Sequence, residues 1–221
     1  MMRSFIWEFP LTASFALFLF LLYPTVSIFL PNLVTEYFIA TPGEFEPINW
    51  ILSTFFHGSG AHLLSNLFFL LLLGRVVEKR VGKTRWLLFY FMAGFLSVLG
   101  DGIVRGFILG DKTPIVGASG SISGLASAAT LLSPFRFPIS KTKSIPFPVF
   151  LFGWMMVYSD VTNVFARDNV AHWAHLGGFF SVFVTSYLLG EKERQEIRQG
   201  FLLNFTFFTL TIILLFFINN R

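Results

Sequence analysis

Between Leu11 and Leu30 the chain runs for 20 residues without a charged side chain, and between Phe201 and Ile218 it does so for another 18. An α-helix rises 1.5 Å per residue, so about 20 apolar residues cross the hydrocarbon core of a bilayer, roughly 30 Å thick. In lipid every backbone N–H and C=O must be satisfied within the protein, and a helix does this inside its own segment. Composition agrees: 54% of the 221 residues are apolar, 13% are charged, and Phe occurs 31 times. A soluble domain carries about 25% charged residues. A soluble globular enzyme, a disordered chain and a nucleic-acid module are therefore excluded. The length allows six or seven spans with short loops and no sizeable soluble domain. With no Cys there is no disulfide, thiol nucleophile or Cys-ligated metal.

The apolar runs map seven spans: 11–30, 62–77, 86–108 (broken at Gly100, Asp101 and Gly102), 117–134, 146–165, 170–189 and 201–218. Arg3 precedes the first run, but no small-residue cleavage site follows it, so it is expected to be a retained span rather than a signal peptide. Residues 31–60, rich in Pro and Gly yet partly apolar, are expected to form a long loop at the membrane interface. The expected organisation is a cytoplasmic N-terminus over 1–10, a six-helix membrane domain over 11–190 with 31–60 external, a charged cytoplasmic linker over 191–200, and a seventh helix over 201–221. Loop charges set the orientation. With the N-terminus inside, 12 Lys and Arg lie inside and four outside, as the positive-inside rule requires. The net charge of +4 is thus a membrane signature, and no nucleic-acid partner is expected. The C-terminus is expected outside, and the outer ends of spans two, four and six face the same side.

All four histidines fall in two clusters, His57 with His62 entering span two and His172 with His175 entering span six. Ionisable groups inside a bilayer are costly and by default mark function. A third constellation, Gly117-Ala118-Ser119-Gly120-Ser121-Ile122-Ser123-Gly124, opens span four. Its small residues would let helices pack closely. Ser119 at a helix N-terminus would also meet free backbone N–H groups suited to a developing oxyanion. From Ser119 to Leu132 is 14 residues, about 21 Å of helix, too short to span alone. Ser119 is therefore expected below the membrane surface in a hydrated recess.

His62-x-x-x-Asn66 with Gly74 and Glu78, then Gly117-x-Ser119-Gly120, then Ala171-His172-x-x-His175-x-Gly177-Gly178 resembles the rhomboid family of intramembrane serine proteases. The match covers residues 45–190 in the family's order. The resemblance implies an all-α polytopic membrane bundle, a six-helix core here extended by one C-terminal span. It implies a Ser–His dyad with Ser119 as nucleophile and His172 as general base. His62, Asn66 and the Ser119 backbone N–H would serve the oxyanion, and Gly117, Gly120 and His175 would be supporting residues. It implies transmembrane protein substrates, cut near the outer face of a cell membrane at small residues, with no cofactor and no metal. Two positions depart from the pattern. Asn49-Trp50 stands where many members carry Trp-Arg, and Ser123 stands where many carry an aromatic ring packed on the catalytic His.

Other readings compete. An idle rhomboid-like protein would bind or escort membrane clients, though such relatives generally lack the Ser or the His. A metal-binding protein would use His57, His62, His172 and His175 but leave Ser119 and Asn66 without a task. Asp101 and Asp111 faintly suggest an aspartyl intramembrane protease. No His is followed by Glu, so the metalloprotease motif is missing. Asp160 and Asp168 are acids near the histidines, and an Asp as a third triad member is conceivable; for Asp168, four residues before His172, helix capping or loop solvation is expected instead. Glu78 is expected to pair with Arg75 or Arg80.

Overall fold

The computed structural model describes residues 8–166, 168 and 170–219. Arg3, Arg167 and Arg221, three of the charges counted above, lie outside the described residues, as do the first seven residues of the N-terminal segment. The main helices are α1 (Pro10–Phe29), α2 (Pro31–Tyr37), α3 (Pro47–Leu52), α4 (Gly60–Asp101), α5 (Ser119–Leu132), α6 (Phe150–Asn163), α7 (His172–Ser186) and α8 (Glu191–Asn219). A short antiparallel hairpin, β1 (Arg136–Pro138) with β2 (Ser144–Pro146), joins α5 to α6. By length and composition, α1, α8 and the continuous stretch Gly60–Ile108 are suited to crossing a membrane.

Spans two and three are the two helical arms of α4, which meet at a kink. Gly82, at φ 78° and ψ 177°, bends α4 there; a side chain would be strained at that φ. The arms then fold back, and the Trp86 indole N–H donates to the Gly74 carbonyl at 2.9 Å. In a straight helix those residues would stand about 18 Å apart. The expected loop at 78–85 is thus a kink. The expected break at Gly100–Gly102 instead continues as a π-helical segment, Gly102–Ile108. The 191–200 linker is likewise helical and continuous with the seventh span. Its Glu, Lys, Arg and Gln residues are strong helix formers, and Glu191 and Glu193 complement the dipole at its first turn.

Glu78 departs from its expected pairing. Its carboxylate accepts the Leu11 N–H at 3.1 Å, the Thr12 N–H at 2.8 Å and the Thr12 hydroxyl at 2.7 Å. It thereby caps the free N–H groups of α1. Arg80 pairs with Glu196 and Arg85 with Glu193, while the Arg75 guanidinium lies 4.0 Å from the Phe137 ring centre.

The 31–60 segment is more ordered than a loop. It holds α2, α3 and a 3₁₀ turn, Ser53–Phe55. Asn49 donates to the carbonyls of Glu36 and Ile39, and the Trp50 indole donates to the Glu44 carbonyl. Trp50 is buried against Phe95 and Val98. An isolated bridge, Ala40 with Ile115, ties this segment to the strap entering α5.

Helix α5 sits at the centre. Every residue from Gly120 to Leu132 is buried, as a helix enclosed by α4, α6, α7 and α8 requires. A Cβ on Gly178 of α7 would collide with the Gly120 carbonyl, and one on Gly124 would stand 3.0 Å from the Gly178 carbonyl. This small-residue seam sets how far α7 slides along α5, and so which α7 side chain faces Ser119. Helix α8 is mostly exposed, as a lipid-facing helix would be. It is pinned where the Asn204 amide donates to the Thr130 carbonyl and accepts from the Trp154 indole.

Candidate active site

Ser119 is the first residue of α5, so its N–H is one of the four that a helix leaves without an intrahelical acceptor. Its half-buried hydroxyl lies 2.8 Å from Nε2 of His175. Nδ1 of the same ring lies 2.9 Å from Oδ1 of Asp160, a buried residue of α6. With Asp160 ionised, the His175 Nδ1–H donates to it. The Nε2 lone pair then faces the Ser119 O–H, the tautomer a base needs.

His172 requires a correction. It lies one turn earlier on α7, with Nδ1 at 2.8 Å from the same Asp160 oxygen and Nε2 at 3.3 Å from Asp168 Oδ2. Both of its ring nitrogens face carboxylates, and the structure brings His175 to Ser119 instead. Residues i and i+3 share a helix face, so spacing alone cannot choose between them. The Gly120–Gly178 contact chooses the deeper one.

The expected oxyanion groups gather on the first turns of α4. Ser59 caps this helix by accepting the His62 N–H at 3.1 Å. Asn66 is buried and donates one amide N–H to the His62 carbonyl at 2.9 Å, which leaves its second. Gly117 links this group to Ser119. At φ 130° it holds a conformation L side chains rarely adopt, and its N–H donates to the Ser53 carbonyl. A Cβ there would stand 2.9 Å from His62 Nε2 and 3.7 Å from Ser119 Oγ. The imidazole and the hydroxyl thus flank one bare backbone position. Beside it a crevice is lined by Ser53, Ser97, Gly117, Ser119, Gly120, Ala171 and Ala174, with Val98, Ile115 and Val116 as its larger apolar side chains.

A model of the rhomboid domain matches residues 44–192. The chain belongs to the rhomboid family. It is 28% identical over 144 residues to "Putative rhomboid protease YdcA" of Bacillus subtilis (strain 168), covering 63% of this chain and 66% of that one. It is 35% identical over 83 residues to "Rhomboid-like protein 11, chloroplastic" of Arabidopsis thaliana, covering 38% and 28% of the two chains. It is 27% identical over 141 residues to "RHOMBOID-like protein 4" of the same plant, covering 64% and 32%. The chain thus spans less than two thirds of the length of each of these curated relatives.

Asp160 is the site residue that motif spacing missed. Its signal was an acid within the apolar stretch of α6, where a bilayer would penalise it. Position 123 of this rhomboid is a buried Ser, and the ring of His175 is fixed by a carboxylate rather than by an aromatic neighbour. Asp101 and Asp111 both bind Arg105, at 3.3 and 2.8 Å, which accounts for them structurally. The two hydrogen bonds of Asp111 with Thr113, then Arg105, lower its pKa to about 2.

His57 lies in the turn before α4, fully buried, its ring edge-on to His62 with centroids 5.1 Å apart. Burial, with a smaller contribution from His62, lowers its pKa to about 3. The folded protein thus holds this ring neutral, while the unfolded chain protonates it below about 6.5. Stability from this residue is present above pH 6.5 and lost as pH falls from there toward 3, by about 2 kcal/mol at pH 5. The thermal midpoint in detergent should therefore drop between pH 7.5 and 5. The drop should shrink in His57→Phe, each protein being compared with itself; an equal drop in both would remove His57 as the cause.

Proposed function

We propose that this rhomboid is an intramembrane serine endopeptidase that cuts transmembrane proteins near the outer face of the membrane. The observation that carries this reading is the 2.8 Å contact between Ser119 Oγ and His175 Nε2, with Asp160 on the far side of the ring. A hydroxyl is a poor nucleophile until a base takes its proton. His175 takes that proton as Oγ attacks the scissile carbonyl carbon. The resulting oxyanion is met by the Ser119 N–H, the His62 ring and the free N–H of Asn66. As the C–N bond breaks, His175 returns the proton to the leaving amine. A water then repeats the sequence on the acyl-enzyme, with His175 again as base. The Gly, Ala and Ser residues that make up most of the crevice lining, with Val98, Ile115 and Val116 narrowing it, suit a small residue at the cut. The relative from Bacillus subtilis, whose name calls it a putative protease, supports the reading.

The test is a serine-directed fluorophosphonate probe together with a model transmembrane substrate in detergent. Wild type should be labelled and should cleave; Ser119→Ala should do neither while keeping its thermal midpoint. A folded wild type that neither reacts nor cleaves would favour the idle, client-binding reading.

The proposed orientation places the N-terminus in the cytoplasm and the C-terminus outside a cell membrane. Besides the loop charges, it is supported by the Arg80–Glu196 and Arg85–Glu193 pairs, by Lys79 donating to the Ser140 and Lys143 carbonyls, and by the Lys141 N–H donating to Glu8. These contacts gather the expected inner segments at one end. Topology reporters fused at residues 82 and 195 should read cytoplasmic and one at 45 external; a cytoplasmic reading at 45 would overturn the assignment.

A further inference from the structure

His172 is left without a task by the proposed mechanism, although it is buried, conspicuously polar and bound to two carboxylates. Its Nδ1 and that of His175 converge on one oxygen of Asp160, at 2.8 and 2.9 Å. One ligand atom from each of these three residues lies within 4.8 Å of the others. Two imidazoles one turn apart on a helix, with a carboxylate from the facing helix, make a three-ligand set suited to a tetrahedral cation with a water in the fourth position. A second contact points the same way. Imidazole ligands of metals usually donate their remaining N–H to a carboxylate, and Nε2 of His172 lies 3.3 Å from Asp168. Access is short, since Asp168 is exposed and His175 retains 17% of its side-chain surface.

We propose that Asp160, His172 and His175 form a binding site for Zn²⁺ whose occupation takes the base away from Ser119. The switch is one of tautomers. In the metal-free arrangement the His175 Nδ1–H donates to Asp160, while the two ring nitrogens of His172 face Asp160 and Asp168. Coordination needs both Nδ1 lone pairs, so each bound ring keeps its one proton on Nε2, and a proton beyond that passes to solvent. On His172 that proton faces Asp168, a favourable hydrogen bond. On His175 it faces Ser119 Oγ, and the ring becomes a donor that cannot accept the serine proton. The cation also occupies the Asp160 oxygen that would otherwise steady the imidazolium. The inhibition rests on the protease reading; the binding of metal does not.

The experiment therefore reads metal and activity separately. Purified Ser119→Ala, with the full chain in detergent, is titrated with Co²⁺ as a spectroscopic stand-in for zinc. Visible d–d bands of a tetrahedral centre should appear, and Zn²⁺ should displace them. The bands should be lost when His172→Asn or Asp160→Ala is added, each variant being used only if its thermal midpoint shows it folded. In the active protein, saturating Zn²⁺ should lower probe labelling of Ser119 at least about tenfold. His172→Asn, compared with itself with and without zinc, should lose that sensitivity. Absence of bands in folded Ser119→Ala would overturn the site, as would bands that persist without His172. Bands with zinc-insensitive labelling would keep the site and overturn its control of the base. An unlabelled wild type that still binds cobalt would count against the protease reading alone.

Discussion

His175→Ala should lose at least about 10⁴-fold in the rate at which Ser119 is labelled, whereas His172→Asn should keep that rate within about tenfold. Removing the base of a serine–histidine pair costs about 10⁴–10⁶ in rate in enzymes that work this way. Only one of the two histidines touches the hydroxyl, His175 at 2.8 Å, while both nitrogens of His172 face Asp160 and Asp168. Asn at 172 can still donate to Asp160, so α6 and α7 should stay in register. The measurement is the second-order rate of fluorophosphonate labelling, with thermal midpoints to show that each variant is folded. A wild-type rate in His175→Ala, or an abolished rate in folded His172→Asn, would reverse the assignment.

The motif points to His172, whereas the ring beside Ser119 is that of His175. The segment Ala171-His172-Trp173-Ala174-His175 carries two candidates three residues apart, and periodicity puts both on the face toward α5. Choosing between them needs the axial position of one helix along another. That is fixed by Gly178 lying on the Gly120 backbone, a contact between residues 58 positions apart. Features with a local cause were legible. The 14-residue length of α5 follows from Ser119 and Pro134, and the placing of His62 and Asn66 together on the first turns of α4 follows from their helical spacing. Features with distant causes were not. Glu78 looked like a partner for its neighbours until its carboxylate was found capping α1, 66 residues away. Gly82 read as a loop because its neighbours are charged, yet a single residue with positive φ turns the chain without breaking the helix elsewhere. Asp160 stood in plain view as an acid in an apolar stretch, but its partners come from another helix.

Asp160→Asn should slow Ser119 labelling by about 10²–10⁴-fold while leaving the fold intact, and Asp168→Asn should change it by less than about threefold. The Asp160 carboxylate does two things to His175: it holds the proton on Nδ1, and its charge steadies the imidazolium formed as the serine proton arrives. An amide is nearly isosteric but neutral, and its N–H₂ can turn toward the ring and favour the tautomer with the proton on Nε2. In the serine-protease triad the same replacement of the buried acid costs about 10⁴ through the wrong tautomer. The lower bound here reflects the chance for the amide oxygen to keep accepting from both rings. Asp168 is exposed, accepts the Val170 N–H at 3.1 Å and meets His172 rather than His175, at 3.3 Å, so its charge is screened by solvent and distant from the reacting atoms. The two acids therefore separate a buried group acting on the base from a surface group acting on its neighbour. Equal losses in both variants would mean that the local charge, rather than the hydrogen bond to His175, governs the rate. No loss in Asp160→Asn would reduce the site to an unassisted serine–histidine pair.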